Sequence, residues 1–374
     1  MAQQDESTLA HLAFSSSVDP TFWSVLSEVK MTKLKLESTP QPLCPIYAPS
    51  AATAHRRDDG GSADAAAVAW MNLAGEALDP AFEVSRRYVR ASGAVTVVNT
   101  MEAFKELNKK DFLNEVGARM CAQVDSGAAE VDPSLLVRCE GVVFSDLKNY
   151  KHVYWFAFPA LCLPLPPVLV GAPSALAARL PTPAQRQHLH QGVRQLQDAS
   201  GSGTTPPFFV VELGAGGVCV RPLSDLRAVA ATGSEWWLAF VDPSSLPTNP
   251  GWPLRNALFL LQRLINPAAV TVLCYRDVLD AKDPPSQSRS LVMQVRLQEG
   301  DAGADASSGT PPAAVGWEAN AKGKMGARMV DLAPFMDPQR RAIESSDLNL
   351  KLMRWRFLPE LDIEKLSRTK VLCV

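Results

Sequence analysis

The run Trp236-Trp237-Leu238-Ala239-Phe240-Val241, the segment from Pro253 to Ile265, and the run Val270-Thr271-Val272-Leu273-Cys274-Tyr275 decide the fold of this chain. The first and last read as strands. The middle one reads as a helix, with Pro253 at its start and Leu254, Leu258, Leu261 and Ile265 on one face. Strand, helix and strand in that order imply a right-handed parallel crossover. The fold class is therefore mixed α/β (α+β), with mixed sheets and at least one β-α-β unit.

Upstream of this unit, Phe208-Phe209-Val210-Val211-Glu212-Leu213 and Val218-Cys219-Val220-Arg221 flank Gly214-Ala215-Gly216-Gly217. A strand before Gly-x-Gly-Gly invites a dinucleotide loop, but that fingerprint needs a third glycine and a helix opening at once. Arginine and proline follow instead, so a hairpin with a glycine turn is the better reading. Pro183 to Asp198 reads as a helix holding His188 and His190, which its geometry points to opposite sides, so surface histidines are expected rather than a shared metal. Tyr150 to Phe158 is an aromatic run. It suits core strand packing, and Trp155 and Phe156 are also candidates for a recognition surface, since aromatics dominate binding hot spots. Asn108 to Val124 carries Leu113, Val116, Met120 and Val124 on one helical face. Phe82 to Val98 suggests two strands. Near the start, Asp19 can cap a helix opened by Pro20 and burying Phe22, Trp23 and Leu26, with Leu34 and Leu36 beginning an extended piece. Leu291 to Leu297 alternates like a strand exposed on one face. Mobile loops are expected near 48–66, 199–207 and 298–314, where Ala, Ser, Gly and Pro dominate.

The chain has 374 residues, enough for two ordinary domains or one large one, and 47% hydrophobic content with 20% charged is that of a soluble globular protein. A net charge of −2 gives no electrostatic reason to expect nucleic acid or an anionic membrane. The uncharged run Val153 to Val170 is broken by Pro159, Pro164, Pro166 and Pro167, so membrane insertion is not expected. The seven cysteines form no C-x-x-C pair, which leaves neither a zinc ribbon nor a redox motif. Met1 to Glu6 is polar and acidic, unlike a secretory or mitochondrial signal, and Cys162, Cys219 and Cys274 within apolar segments suit small buried hydrophobes in a reducing cytosol.

No catalytic constellation assembles from these residues. Lys322-Gly323-Lys324-Met325-Gly326 lacks the phosphate-loop spacing. Asp242, Asp277 and Asp280 follow strands and could serve acid–base work, but turn-forming aspartates are commoner. Pro250-Gly251-Trp252-Pro253-Leu254-Arg255-Asn256 fixes a sharp strand-to-helix entrance. It reads first as a structural turn, with Trp252 and Arg255 as candidates for docking a partner.

At the far end, Ser346 or Asp347 can cap a helix with Leu348, Leu352 and Trp355 on one face, ended by Pro359, and Val371-Leu372-Cys373-Val374 reads as a buried strand. Arg354 and Arg356 lie about 200° apart around that helix and cannot serve one helical site.

The strings Val241-Asp242-Pro243-Ser244, Pro250 to Asn256, Val315-Gly316-Trp317-Glu318, Lys324-Met325-Gly326-Ala327-Arg328-Met329-Val330-Asp331-Leu332 and Asp347 to Arg356, together with Phe14-Ser15-Ser16, Phe22-Trp23 and Tyr154-Trp155-Phe156, closely resemble the ubiquitin-like-modifier-activating enzymes of autophagy, which serve the autophagy-8 and autophagy-12 modifiers. The resemblance runs through almost the whole chain in order. It implies a recruitment domain for conjugating enzymes over 1–340, followed at 345–374 by the leading helix and first strand of a truncated Rossmann-like adenylation domain. In such enzymes the modifier's C-terminal glycine is adenylated, passed to a cysteine, then handed to a conjugating enzyme. ATP, magnesium and a structural zinc are implied for the full-length family. The glycine loop expected after Val374, the zinc cysteines and the nucleophile are not in this sequence, so no cofactor and no catalytic residue is expected in this chain, and Arg356 is a candidate contact to the partner subunit's nucleotide only in the full-length enzyme. The implied partners are the autophagy-3 and autophagy-10 conjugating enzymes, with the modifiers bound mainly by the other half and a homodimer formed only by the whole enzyme. The implied location is the cytoplasm, including the preautophagosomal structure. A stand-alone scaffold that binds conjugating enzymes without catalysis is the alternative, and an unrelated nucleotide enzyme built on Gly214 to Gly217 is a third reading.

Overall fold

The computed structural model describes residues 6–50, 67–200, 203–214, 216–281, 284–285, 287–298, 312–319, 323–324, 326–336 and 346. The segment 345–374, with Arg356, lies outside the described residues except for Ser346, as does most of the loops expected near 48–66 and 298–314.

Three sheets make up the described chain. The largest has seven strands in the order β1 (Glu6–Thr8), β10 (Val168–Ala175), β15 (Leu291–Arg296), β14 (Ala269–Tyr275), β13 (Glu235–Val241), β11 (Phe208–Gly214) and β12 (Gly217–Pro222). β13 and β14 pair in parallel, Trp237 opposite Thr271 through Val241 opposite Tyr275, while their outer neighbours pair antiparallel. This is the crossover that the alternation of strand and helix dictates. β11 and β12 form the expected hairpin, with Gly214 opposite Gly217 and no helix opening behind the glycines. That geometry does not fit a dinucleotide loop, whose phosphates need a helix N-terminus.

The crossover helix α5 (Leu254–Leu264) buries Leu254, Asn256, Ala257, Leu258, Phe259, Leu260 and Leu261, much more than one face. The reason is its position: it also touches β9 (Lys151–Leu161) of the second sheet. Asn256 satisfies its amide there. Its Oδ1 accepts from the Leu161 N–H at 2.9 Å, and its Nδ2 donates to the carbonyls of Leu136 at 2.8 Å and Pro159 at 3.0 Å. A buried amide with every partner met pins a helix to a strand more specifically than apolar contact does.

The second sheet runs β16 (Ala314–Trp317), β9, β8 (Arg138–Asp146), β7 (Ser92–Val98) and β3 (Gln41–Pro42), with β17 (Arg328–Asp331) also paired to β9. β7 and β8 are parallel, connected by α2 (Met101–Glu106) and α3 (Lys109–Asp125). The α3 helix is capped by Asn108 and buries Leu113, Val116, Met120 and Val124, as their spacing requires. A third sheet of four strands, β2 (Phe14–Val18), β5 (Ala69–Leu73), β4 (Ile46–Tyr47) and β6 (Val89–Arg90), packs beside it. Glu318, past the end of β16, accepts from the Ser16 N–H at 2.7 Å and Ser16 Oγ at 2.8 Å and pairs with Arg328 at 2.6 Å, tying the third sheet to the second.

Two expectations need correction. Asp19 caps α1 (Pro20–Val29) as expected, and Phe22, Trp23 and Leu26 are buried, but Leu34 begins no extended piece. The helix continues as a π-helical turn over Lys30–Leu34, because Leu34 is buried and the Lys30 ammonium donates to the carbonyl of Glu37 at 2.9 Å, closing the turn. His190, on α4 (Pro183–Ala199), is not a surface histidine. It is buried, its Nδ1 3.2 Å from Tyr275 Oη and its Nε2 2.9 Å from the Ala281 carbonyl, whereas His188 faces solvent.

Candidate docking site

Asp242, the residue after β13, shapes the loop that leads into α5. Its Oδ1 accepts the backbone N–H of Ser244 and of Gly251, each at 2.8 Å, and its Oδ2 takes the Nε of Arg276 at 2.9 Å. Arg276 donates onward from Nη2 to the Leu246 carbonyl at 2.8 Å, and Ser244 Oγ closes the loop on the Asn249 carbonyl at 2.6 Å. Both members of this ion pair are buried. Burial raises the Asp242 carboxyl above its ordinary range, and the Arg276 guanidinium and the loop N–H groups oppose that rise. Position 251 must be glycine, since a Cβ there would lie 2.7 Å from Asp242 Oδ1 and 2.7 Å from the Pro243 ring. The same turn captures the N-terminal segment: the Leu12 N–H donates to the Pro250 carbonyl, and the Trp252 N–H donates to the Leu12 carbonyl, each at 2.9 Å.

Trp252, in the turn before α5, and Arg255, on its first turn, are thereby fixed at the mouth of a hollow of about 370 Å³. The Trp252 indole N–H donates to the Phe158 carbonyl at 2.7 Å, and the Arg255 guanidinium stacks 4.5 Å from the Trp252 ring centre. Leu9, Leu161, Pro166 and Leu258 supply apolar walls, and no aspartate or glutamate lines the hollow. Among the described residues Arg255 makes no ion pair. Burial pushes its pKa below the usual arginine range, but a guanidinium keeps its charge at neutral pH. His11, also in the wall, is pushed down to about 3, mainly by burial and then by the charge of Arg255. It is therefore neutral, and its Nε2 is buried without a hydrogen-bond partner. Among the described residues the hollow is thus apolar with one positive charge that no carboxylate offsets, an arrangement open to a partner group.

Trp155 and Phe156 do not share a surface. Neighbours on a strand point to opposite faces, and both side chains are buried. Phe156 lies in the main core against Tyr154 and Phe22. Trp155 packs on Phe104 and Val142 on the other face, with Trp317 at 5.7 Å and the Lys109 ammonium 3.4 Å from its ring centre. The packing reading of the aromatic run is the one the geometry supports. A second, larger hollow of about 680 Å³ contains Arg90, Glu130 and Asp132. Arg90 donates there to the Pro80 and Phe82 carbonyls, Glu130 pairs with Arg227, and Asp132 holds Ser134. Among the described residues no group of three or more histidine, cysteine or carboxylate side chains could hold a metal ion, and no helix is long and apolar enough to cross a membrane.

The sequence points to Trp252 and Arg255 but not to the hollow they line. His11 carries no local signal, because the segment 9–12 is joined to the turn before α5 by the backbone hydrogen bonds of Leu12 with Pro250 and Trp252. The Asp242–Arg276 pairing joins the ends of two strands and has no sequence spacing to betray it. Only Asp242 itself was legible, as an aspartate following a strand.

Fold and site together define a mixed α/β domain with three sheets and an apolar hollow lined by Trp252 and Arg255. Residues 9–336 match the sequence model of the ubiquitin-like modifier-activating enzyme ATG7 N-terminus, and the chain belongs to that family. It is 34% identical over 369 residues to the ubiquitin-like modifier-activating enzyme ATG7 of Gallus gallus, covering 98% of this chain and 49% of that protein, and 34% identical over 373 residues to the ATG7 of Homo sapiens, covering 98% and 50%. The chain thus spans about half the length of these relatives. In three dimensions it resembles the Kluyveromyces marxianus Atg7NTD crystallised with Atg10, with a TM-score of 0.59 at 18% identity over 88% of this chain and 98% of that one. It resembles the same domain crystallised alone with a TM-score of 0.58. These likenesses show the fold.

Proposed function

We propose that this chain recruits conjugating enzymes to an autophagy modifier-activating enzyme, with the Trp252–Arg255 hollow as part of the docking surface. The observation that carries the reading is family membership over 9–336 together with a matching fold in the Kluyveromyces marxianus Atg7NTD–Atg10 complex. An autophagy-10-type enzyme is the first expected partner and an autophagy-3-type enzyme the second. The chain's own residues act by holding and orienting: Asp242 and Arg276 set the loop, the loop sets Trp252 and Arg255, and these present a rigid surface to the incoming enzyme. A preformed surface spares the ordering cost of binding. ATP, magnesium and zinc serve the whole enzyme in this reading, acting outside these residues, and Arg356 retains its proposed role as a nucleotide contact in trans there. The reaction belongs in the cytoplasm and at the preautophagosomal structure.

A pull-down with the purified chain and each conjugating enzyme from the same organism tests the proposal. Stoichiometric capture of at least one is expected. Capture of neither would refute it.

A further inference from the structure

Among the described residues the hollow beside α5 has one charge and no counter-charge. Its arginine sits over the Trp252 ring, the guanidinium carbon 4.5 Å from the ring centre. Trp252 is itself fixed by its indole hydrogen bond to Phe158 and its backbone bond to Leu12. A guanidinium held in this way offers a fork of parallel N–H donors, the geometry that selects a carboxylate over other acceptors. No described carboxylate reaches it, and among the described residues the other titratable base in the wall, His11, is neutral at physiological pH and adds no positive charge. Leu9, Leu161 and Leu258 form the apolar part of the same hollow. A volume of about 370 Å³ takes one or two side chains. It is too small for a whole helix, which is about 10–12 Å across with its side chains.

We propose that this hollow binds an aspartate or glutamate side chain on an extended segment of a partner protein, its carboxylate forked by Arg255 and an adjacent large apolar side chain seated against Leu9, Leu161 and Leu258. The inference rests on the docking role argued above and adds the chemistry that the docked segment must carry. The partner's segment needs only two anchors, one acidic and one apolar. A lysine in place of Arg255 would be discriminated against, because a flexible ammonium cannot reproduce the guanidinium's planar fork.

Selection of random 12-residue peptides on the immobilised, intact chain tests the inference. Enriched peptides are expected to carry Asp or Glu next to Leu, Ile, Met or Phe. Their enrichment should fall at least tenfold against Arg255→Gln and partly against Arg255→Lys. The leading peptide and its Glu→Gln or Asp→Asn counterpart, titrated against the unaltered chain, give the same answer without a variant that must fold. A loss of at least tenfold is expected from that one change. No enrichment of acidic residues, or equal binding by the amide counterpart, would overturn the inference. The pull-down separates the two levels. If conjugating enzymes are captured but carboxylate dependence is absent, the inference alone fails. If acidic peptides bind while neither enzyme is captured, the docking role fails and the chemistry of the hollow stands.

Discussion

Asp242 is the residue on which the site depends most. With both members of its ion pair buried, removing the charge of one strands the other, and breaking such a pair costs about 3–5 kcal/mol. Asp242→Asn keeps an acceptor for Gly251 but loses the counter-charge to Arg276. Chemical denaturation should show a loss of about 3 kcal/mol or more. A loss under about 1 kcal/mol, the size of an exposed pair's contribution, would mean the pair is solvated. His152 sets a pH dependence in the same way. It is buried, stacked 4.9 Å from Trp23 and 2.9 Å from Ser145 Oγ, and burial pushes it down to about 4 from an ordinary 6.5. The unfolded chain takes up this proton near pH 6.5 and the folded chain only near 4, so the stability is whole above pH 6.5 and is lost as the pH falls toward 4. Unfolding free energies from urea titration at pH 7 and pH 4.5 should differ, and His152→Gln should shrink that difference by about 2–3 kcal/mol. An unchanged difference would mean that His152 is not the group being titrated.

At the scale of elements, α5 joins the two larger sheets, and Asn256 is its polar anchor. Asn256→Ala leaves the Leu161 N–H and the carbonyls of Leu136 and Pro159 without their partner inside the protein. Each buried group so orphaned costs about 1–3 kcal/mol, and the sum should appear as a drop of at least about 3 kcal/mol in denaturation. Faster hydrogen exchange should accompany it in both β9 and α5. Exchange changed in α5 alone would show that the helix does not hold the second sheet. The crossover helix and both of its strands were legible in the sequence, because a change in apolar period from two to nearly four residues is a local signal. The helix over 109–125, the capped first helix and the glycine hairpin were legible for the same reason. Sheet order was not. The pairing of β10 with β15 spans more than a hundred residues, and nothing in Val168 to Ala175 names its neighbour. The burial of His190 was hidden likewise, since Tyr275 and Ala281, which receive it, are remote in sequence. Of the site, Trp252 and Arg255 stood out through an unusual Pro-Gly-Trp-Pro turn. Their emptiness of acidic neighbours emerged only once the segment 9–12 had been placed beside them.

The whole molecule is a support for one rigid surface. Glu318 with Ser16 and Arg328, Asn256 with β9, and Asp242 with Arg276 each tie distant parts of the chain together through buried polar contacts that are satisfied. Such links leave little freedom for the surface to reorganise on binding, so the proposed recruiting role is expected to change by altering residues at the mouth of the hollow and not by remodelling the core. The chain spans about half the length of its relatives, and its proposed part in their activity is to bring the next enzyme within reach. Isothermal titration of the intact chain with the autophagy-10-type conjugating enzyme, repeated with Arg255→Glu, is the most direct test. Saturable one-to-one binding by the unaltered chain, weakened at least tenfold by the charge reversal, is the predicted result. The absence of binding to this enzyme and to its autophagy-3-type counterpart would contradict the recruiting role outright.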